Sequence, residues 1–217
     1  MAHLSSPRAP VVVILAAGAG QRLGQPKGAA DLLGGRALEL LQRSARAGAG
    51  ADAEGCVVTG AHAERVAALI GKGFHRVHCN SWAAGRTGSL AAAAAAYPGR
   101  DLCVAPVDVP CVPPKIFRAL WIAWAAAEAP ARGWLAPKVT CGRERSAARE
   151  RYGHPLILGR ELAAELPNSH PDHPLRDWRK RATPLLSVPV DAPAVLDDLD
   201  TPSDLRQLRQ LRLAGER

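Results

Sequence analysis

Aromatic side chains are scarce in this 217-residue chain: Phe, Trp and Tyr together make up 4% of it. Proteins that grip single-stranded nucleic acid stack bases on aromatic platforms set in a basic groove. The shortage argues against that class even though the net charge is +8. The excess charge is spread over both halves with no basic tail, which fits an enzyme handling anionic small molecules. Lysine is nearly missing. Lys27, Lys72, Lys115, Lys138 and Lys180 stand against 23 arginines, so each lysine is more informative than usual. No apolar run approaches the ~18 residues a membrane helix needs. The first apolar run, Val11 to Leu15, is too short for a signal-peptide core. The cysteines (Cys56, Cys79, Cys103, Cys111 and Cys141) are odd in number and form no CxxC pair. That argues against a disulfide framework and a zinc ribbon, and suggests a reducing, cytoplasmic setting.

What is present is an alternation of strands and helices. Val11 to Leu15 reads as a strand buried on both faces, followed by a Gly-rich stretch and a helix pattern from Arg36 to Ala47. Strand patterns at Cys56 to Thr59, Phe74 to Cys79 and Asp101 to Ala105 alternate with helix patterns at Ala63 to Ile70, Arg86 to Tyr97 and Pro113 to Glu128. This order implies one α/β domain with a mostly parallel sheet and right-handed crossovers. Beyond a weaker strand at Trp134 to Pro137 the chain reads as irregular and charge-dense from Arg143 to Arg151. Short helices at Gly159 to Leu166 and Leu175 to Arg181, a strand at Pro184 to Val190 and a helix from Thr201 or Pro202 to Leu213 complete the pattern.

Directly after the first strand stands Leu15-Ala-Ala-Gly-Ala-Gly-Gln-Arg-Leu-Gly-Gln-Pro-Lys27. Ligands of open α/β sheets bind beyond the carboxyl ends of strands. Glycines there let backbone N–H groups approach phosphates, and Arg22 and Lys27 add two cations. No GxxxxGK[ST] string is present, so a Walker A loop is excluded. A dinucleotide fingerprint fits poorly: Gly18 and Gly20 match, but Leu23 takes the third position, Gly24 comes one late and Pro26 opposes an immediate helix. The bland alternative is a Gly-rich turn. A second anchor is Asp108, in Val104-Ala-Pro-Val-Asp-Val-Pro-Cys-Val-Pro113. A carboxylate at a strand end, held between prolines, suits a divalent cation such as Mg²⁺; the alternative is a turn or helix-cap residue.

The string Leu15-Ala-Ala-Gly-x-Gly-x-Arg-x-Gly-x-Pro-Lys27 resembles the signature of the MobA-like NTP transferases, within the nucleotidyltransferase superfamily. Asp108 resembles that family's metal-binding Asp-x-Pro motif. Asn80-x-Trp82-x-x-Gly85 with Gly88-Ser89-Leu90, and Gly153-His154-Pro155, are similar to the molybdopterin cytidylyltransferase branch. Asp198-Leu-Asp200-Thr-Pro-Ser-Asp204-Leu205 resembles the family's terminal motif. The likeness runs from Val11 to about Leu205, leaving residues 1–9 and 214–217 as tails of a single domain. It implies a three-layer α/β/α, Rossmann-like (GT-A-like) fold. It also implies Mg²⁺-dependent transfer of a nucleoside monophosphate from an NTP, CTP favoured, to a phosphorylated acceptor such as molybdopterin, with release of pyrophosphate. A sugar, polyol or amino-alcohol phosphate is the alternative acceptor.

The expected nucleotide-binding residues are Leu15, Ala16, Ala17, Gly18, Gly20, Arg22, Lys27, Gly88 and Ser89. Arg22, Lys27 and Asp108 are the expected catalytic residues, and His154 the acceptor-binding one. Asp108 with Asp198 or Asp200 would hold the metal. The basic stretch Arg143, Arg145, Arg149, Arg151 departs from the family pattern and is either a solvated face or a lid touching phosphate. Two readings from other classes remain, a nicotinamide-binding reductase and an inactive nucleotide-binding module. The first wants an acidic residue at the end of the second strand, where Thr59 and Gly60 stand.

Overall fold

The computed structural model describes residues 8–50, 52–141, 149–170 and 172–217. Among them lies one sheet of eight strands with helices on both faces. Strand β1 (Val11–Leu15) is fully buried, as its unbroken β-branched run requires. It pairs in parallel with β2 (Gly55–Thr59) on one side and β4 (Leu102–Pro106) on the other. β3 (Phe74–His78) extends the parallel set beyond β2. Successive β1 side chains point to opposite faces, which feeds two cores. Val12 and Ile14 meet Leu38, Leu41 and Ala45 of α1 (Ala37–Ala49) and Ile116, Phe117 and Leu120 of α4 (Pro114–Ala126). Val11, Val13 and Leu15 share the opposite core with Leu90, Ala93 and Ala94 of α3 (Arg86–Ala96) and Leu162 of α5 (Arg160–Glu165). The result is the expected three-layer α/β/α fold.

The structure departs from the sequence reading in two places. The region read as irregular contains β6 (Arg149–Tyr152) and β7 (Leu156–Leu158), both antiparallel to β5 (Trp134–Cys141). β7 also pairs antiparallel with β4 and so joins the two halves of the sheet. The strands are short, charged or interrupted at Gly153–Pro155, and they exist because β5 and β4 supply their hydrogen-bond partners. β8 (Leu185–Pro189) takes the other edge of β5 in parallel. The second departure is α2, which spans Ala63–Ala67 and stops short of Ile70. The buried Gln42 amide donates to Leu69 O and accepts from Gly71 N, which satisfies the chain just beyond the shortened helix. Of the basic stretch, Arg143 and Arg145 lie outside the described residues. Two C-terminal helices follow, α6 (Leu175–Arg181) and α7 (Pro202–Leu213).

The order β3-β2-β1-β4 places a topological switch between β1 and β4. The connections leaving their carboxyl ends diverge there, and an open α/β sheet forms its ligand crevice at such a point. Leu15 is level with Pro106 in the register, so the Gly-rich loop and the Asp108 loop begin side by side.

Candidate active site

The Gly-rich loop is bent by two short 3-10 turns, Gln21–Leu23 and Lys27–Ala29. Gly20 has φ +63°, and a Cβ there would lie 2.0 Å from Gln25 O, so only glycine fits. Ala61 N donates to Ala17 O at 3.0 Å and fixes the loop against the end of β2. Pro26 then turns the chain so that Lys27 points back towards β4.

Asp108 is 6% exposed. Its Oδ2 accepts from Lys27 Nζ at 3.1 Å and from Arg86 Nη2 at 2.8 Å. Lys27 Nζ also donates to Asp200 Oδ1, and Asp200 Oδ2 accepts from Arg22 Nη2 at 2.8 Å. The charges therefore alternate along one chain: Arg22, Asp200, Lys27, Asp108, Arg86. Residues 178 positions apart in sequence meet in it. The C-terminal partner is held by backbone. Leu199 N donates to Asp108 O at 2.7 Å. Thr201 caps α7, and Asp204 Oδ2 accepts from Thr201 N at 2.7 Å and Asp200 N at 3.1 Å.

Two adjoining cavities, of about 210 and 480 Å³, share Gly18, Lys27 and Trp82 and form one cleft. Joined, they have the size of a small-molecule site. The first is lined by Leu15, Ala16, Ala17, Lys27, Ser89 and Asp108; the second by Gly20, Arg22 and Asp200. Of the residues singled out in the sequence, Gly88 is buried inside α3 and lines neither. Asp198 and His154 also stand off the lining, although both feel the Asp108 charge. Trp82, named in the sequence only as part of a motif, lines the cleft, and so does Arg86, which was not singled out. For Arg86 the signal was a cation at the start of a helix beside a Gly-rich turn.

The electrostatics distinguish the carboxylates. The hydrogen bond from Lys27 holds Asp200 below its usual range. Burial, and then the negative charges of Asp108 and Asp200, push Asp198 upward. Asp108 Oδ1 is buried and has no hydrogen-bond partner. A buried carboxylate oxygen without a donor, next to a second carboxylate destabilised by like charge, is a donor set that fits a divalent cation. No group of three or more His, Cys, Asp or Glu side chains converges among the described residues. A cation held by one or two carboxylates would complete its shell with substrate phosphates and water. His154 is pushed down to about 4, chiefly by burial, so its ring is neutral at pH 7.

The fold has counterparts among solved structures. Rv0371c from Mycobacterium tuberculosis is 23% identical over 94% of this chain and 99% of its own, with a TM-score of 0.73, and has also been solved in complex with manganese. Molybdopterin-guanine dinucleotide biosynthesis protein A from Archaeoglobus fulgidus is 17% identical over 94% and 99% of the two chains, with a TM-score of 0.68. 2-C-methyl-D-erythritol 4-phosphate cytidylyltransferase from Thermus thermophilus is 19% identical over 93% and 98%, with a TM-score of 0.63. No curated protein matches the sequence. At these identities the structures speak for the fold alone. The sequence itself, from residue 12 to 187, matches the MobA-like NTP transferase domain, and that span includes the Gly-rich loop, Lys27, Arg86, Asp108 and His154. The chain therefore belongs to the MobA-like NTP transferase family and is a nucleotidyltransferase.

Proposed function

We propose that this enzyme moves CMP from CTP onto the phosphate of a small sugar-, polyol- or amino-alcohol-phosphate acceptor. The observation that carries this reading is the Lys27–Asp108 contact of 3.1 Å. It places the cation of the Gly-rich loop and the strand-end carboxylate on one cleft wall. Fold likeness to a cytidylyltransferase for a polyol phosphate supports the choice of donor and acceptor.

The acceptor phosphate is largely dianionic at pH 7 and needs no general base. One of its oxygens attacks the α-phosphorus of the triphosphate. The new O–P bond forms as the bond between the α-phosphorus and the bridging oxygen breaks, and pyrophosphate leaves with that electron pair. In such transfers the protein contributes mainly position and charge. The Leu15–Gly20 backbone cradles the nucleotide, and Lys27 and Arg22 exchange their carboxylates for oxygens of the departing pyrophosphate. Asp108, with Asp198 or Asp200, would hold Mg²⁺, which supplies charge neutralisation at the phosphates. The neutral His154 ring offers hydrogen bonds to the acceptor rather than charge.

A second reading keeps the chemistry and makes molybdopterin the acceptor. The Gly153-His154-Pro155 segment and the likeness to the A. fulgidus protein favour it. Pyrophosphate release, measured with each of the four nucleoside triphosphates against both acceptor classes with and without Mg²⁺, decides between them. The reading predicts release that requires CTP, metal and a phosphorylated polyol or sugar. Release only with molybdopterin supports the second reading. Nucleotide binding with no release for any pair overturns both.

A further inference from the structure

Arg86 has no assigned part in the chemistry above, and its position gives it one. It opens α3, and the turn before it is set by Gly85, whose φ of 137° excludes other residues. Thr87, buried, donates to His173 O and locks the start of the helix against the 172–174 segment. The Arg86 side chain is thus held at its base, and its tip is tied to Asp108 alone among the described ion pairs.

At that tip two cations share one oxygen. Asp108 Oδ2 takes both Lys27 and Arg86, while Oδ1 takes neither. The two are not equivalent. Lys27 is 20% exposed and also grips Asp200; Arg86 is 61% exposed and has Asp108 as its only ion-pair partner among the described residues. An exposed ion pair contributes little stability, so Arg86 is the cation that can leave cheaply. Its destination follows from its side of the cleft. Arg22, Gly20 and Asp200 line the lobe away from Arg86; Arg86 lines the lobe with Leu15 to Gly18, Ser89 and Asp108, at the end of the charge chain opposite Arg22 and beyond Lys27. Its charge acts on His154 and Asp198 as well as on Asp108. A guanidinium binds a phosphate through two parallel hydrogen bonds, a stronger match than one shared carboxylate oxygen.

We propose that Arg86 leaves Asp108 to bind the acceptor's phosphate, holding the nucleophile beside the α-phosphorus while Lys27 and Arg22 hold the triphosphate. This deepens the proposed function and rests on it. Arg86 sets the requirement for an anionic acceptor, whatever the rest of the acceptor is.

The test is calorimetric and needs no knowledge of the natural acceptor. The full chain is first titrated with the non-reactive analogue α,β-methylene-CTP in Mg²⁺, and the saturated complex is then titrated with methyl phosphate. Arg86→Met is expected to keep nucleotide affinity within threefold and to weaken methyl phosphate at least tenfold, with Arg86→Lys intermediate. Equal loss of both affinities would make Arg86 a triphosphate ligand and overturn the assignment. So would unchanged methyl phosphate binding in Arg86→Met, or a wild-type complex that takes no methyl phosphate. Failure of the wild-type protein to bind the nucleotide would strike the nucleotidyltransfer reading itself.

Discussion

Replacing Asp108 by alanine should separate stability from activity. A buried residue with two ion pairs and a backbone tie looks structural, and its removal would ordinarily be costly. The particulars argue otherwise. The tie, Leu199 N to Asp108 O, is made by the main chain and survives the substitution. The ion pairs to Lys27 and Arg86 are partly exposed and contribute about 0–1 kcal/mol each. Against them stands the buried, unpartnered Oδ1, which costs about 1–3 kcal/mol. Repulsion of Asp198 is relieved as well. The terms nearly cancel, so Asp108→Ala should change the unfolding free energy of the metal-free protein by no more than about 1 kcal/mol. For a chain of this size that is a shift in Tm of about 2–4 °C. Pyrophosphate release should fall about 10²- to 10³-fold, the usual effect of removing one preorganised charge. Urea unfolding in a chelator and the release assay give the two numbers. A variant that unfolds far more easily yet turns over normally would show Asp108 to be a structural cap and refute the reasoning.

Three further outcomes are expected. Asp101 is buried, and its carboxylate accepts from Trp124 Nε1 at 2.9 Å and Arg160 N at 2.8 Å. Asp101→Ala should therefore cost about 3 kcal/mol in urea unfolding, because both donors are left without a partner, and a change under 1 kcal/mol would contradict the role. Gly20→Ala should abolish nucleotide binding in calorimetry while circular dichroism stays native, since the new Cβ meets Gln25 O; undiminished binding would mean that the loop does not hold the nucleotide. The folded protein holds His154 at about 4 against an ordinary 6.5, so the unfolded chain binds the proton more readily. The stability this residue permits is complete above pH 6.5 and is lost as pH falls towards 4, by up to about 3 kcal/mol. Unfolding of metal-free His154→Gln between pH 7 and 4.5 should show a smaller decline than wild type, and parallel curves would rule this out.

Most of the first half of the fold was readable because its strands announced themselves locally. Val11–Leu15 is continuous apolar sequence, and its strand bounds coincide with the pattern. Lys27, Asp108 and Asp200 were readable as chemistry-bearing residues from their place after strands and before a capped helix, and they converge in space. What could not be read depends on partners distant in sequence. Arg149–Tyr152 has no strand pattern of its own and becomes β6 through Lys138–Cys141. Ile70 lies outside α2 because Gln42, 27 residues before Leu69, bonds to the chain beyond the helix. Arg86 escaped notice because an arginine among 23 says nothing until its guanidinium is seen on Asp108. Asp198 and Asp200 were indistinguishable by alternation; the structure separates them by giving two cations to Asp200.

The run of alternating charges also bears on how substrate enters. A bare cluster of three cations would attract any polyanion and would lose affinity steeply as salt rose. Here the cleft carries its own internal counter-ions, so an incoming polyphosphate trades places with carboxylates instead of with dissolved ones. Part of the electrostatic gain is spent inside the protein, and nucleotide affinity should respond only weakly to ionic strength. The benefit is discrimination: a single phosphate or sulfate can at most take the place of the Asp200 carboxylate between Arg22 and Lys27 and gains little from the exchange, whereas a polyphosphate brings further oxygens for further cations.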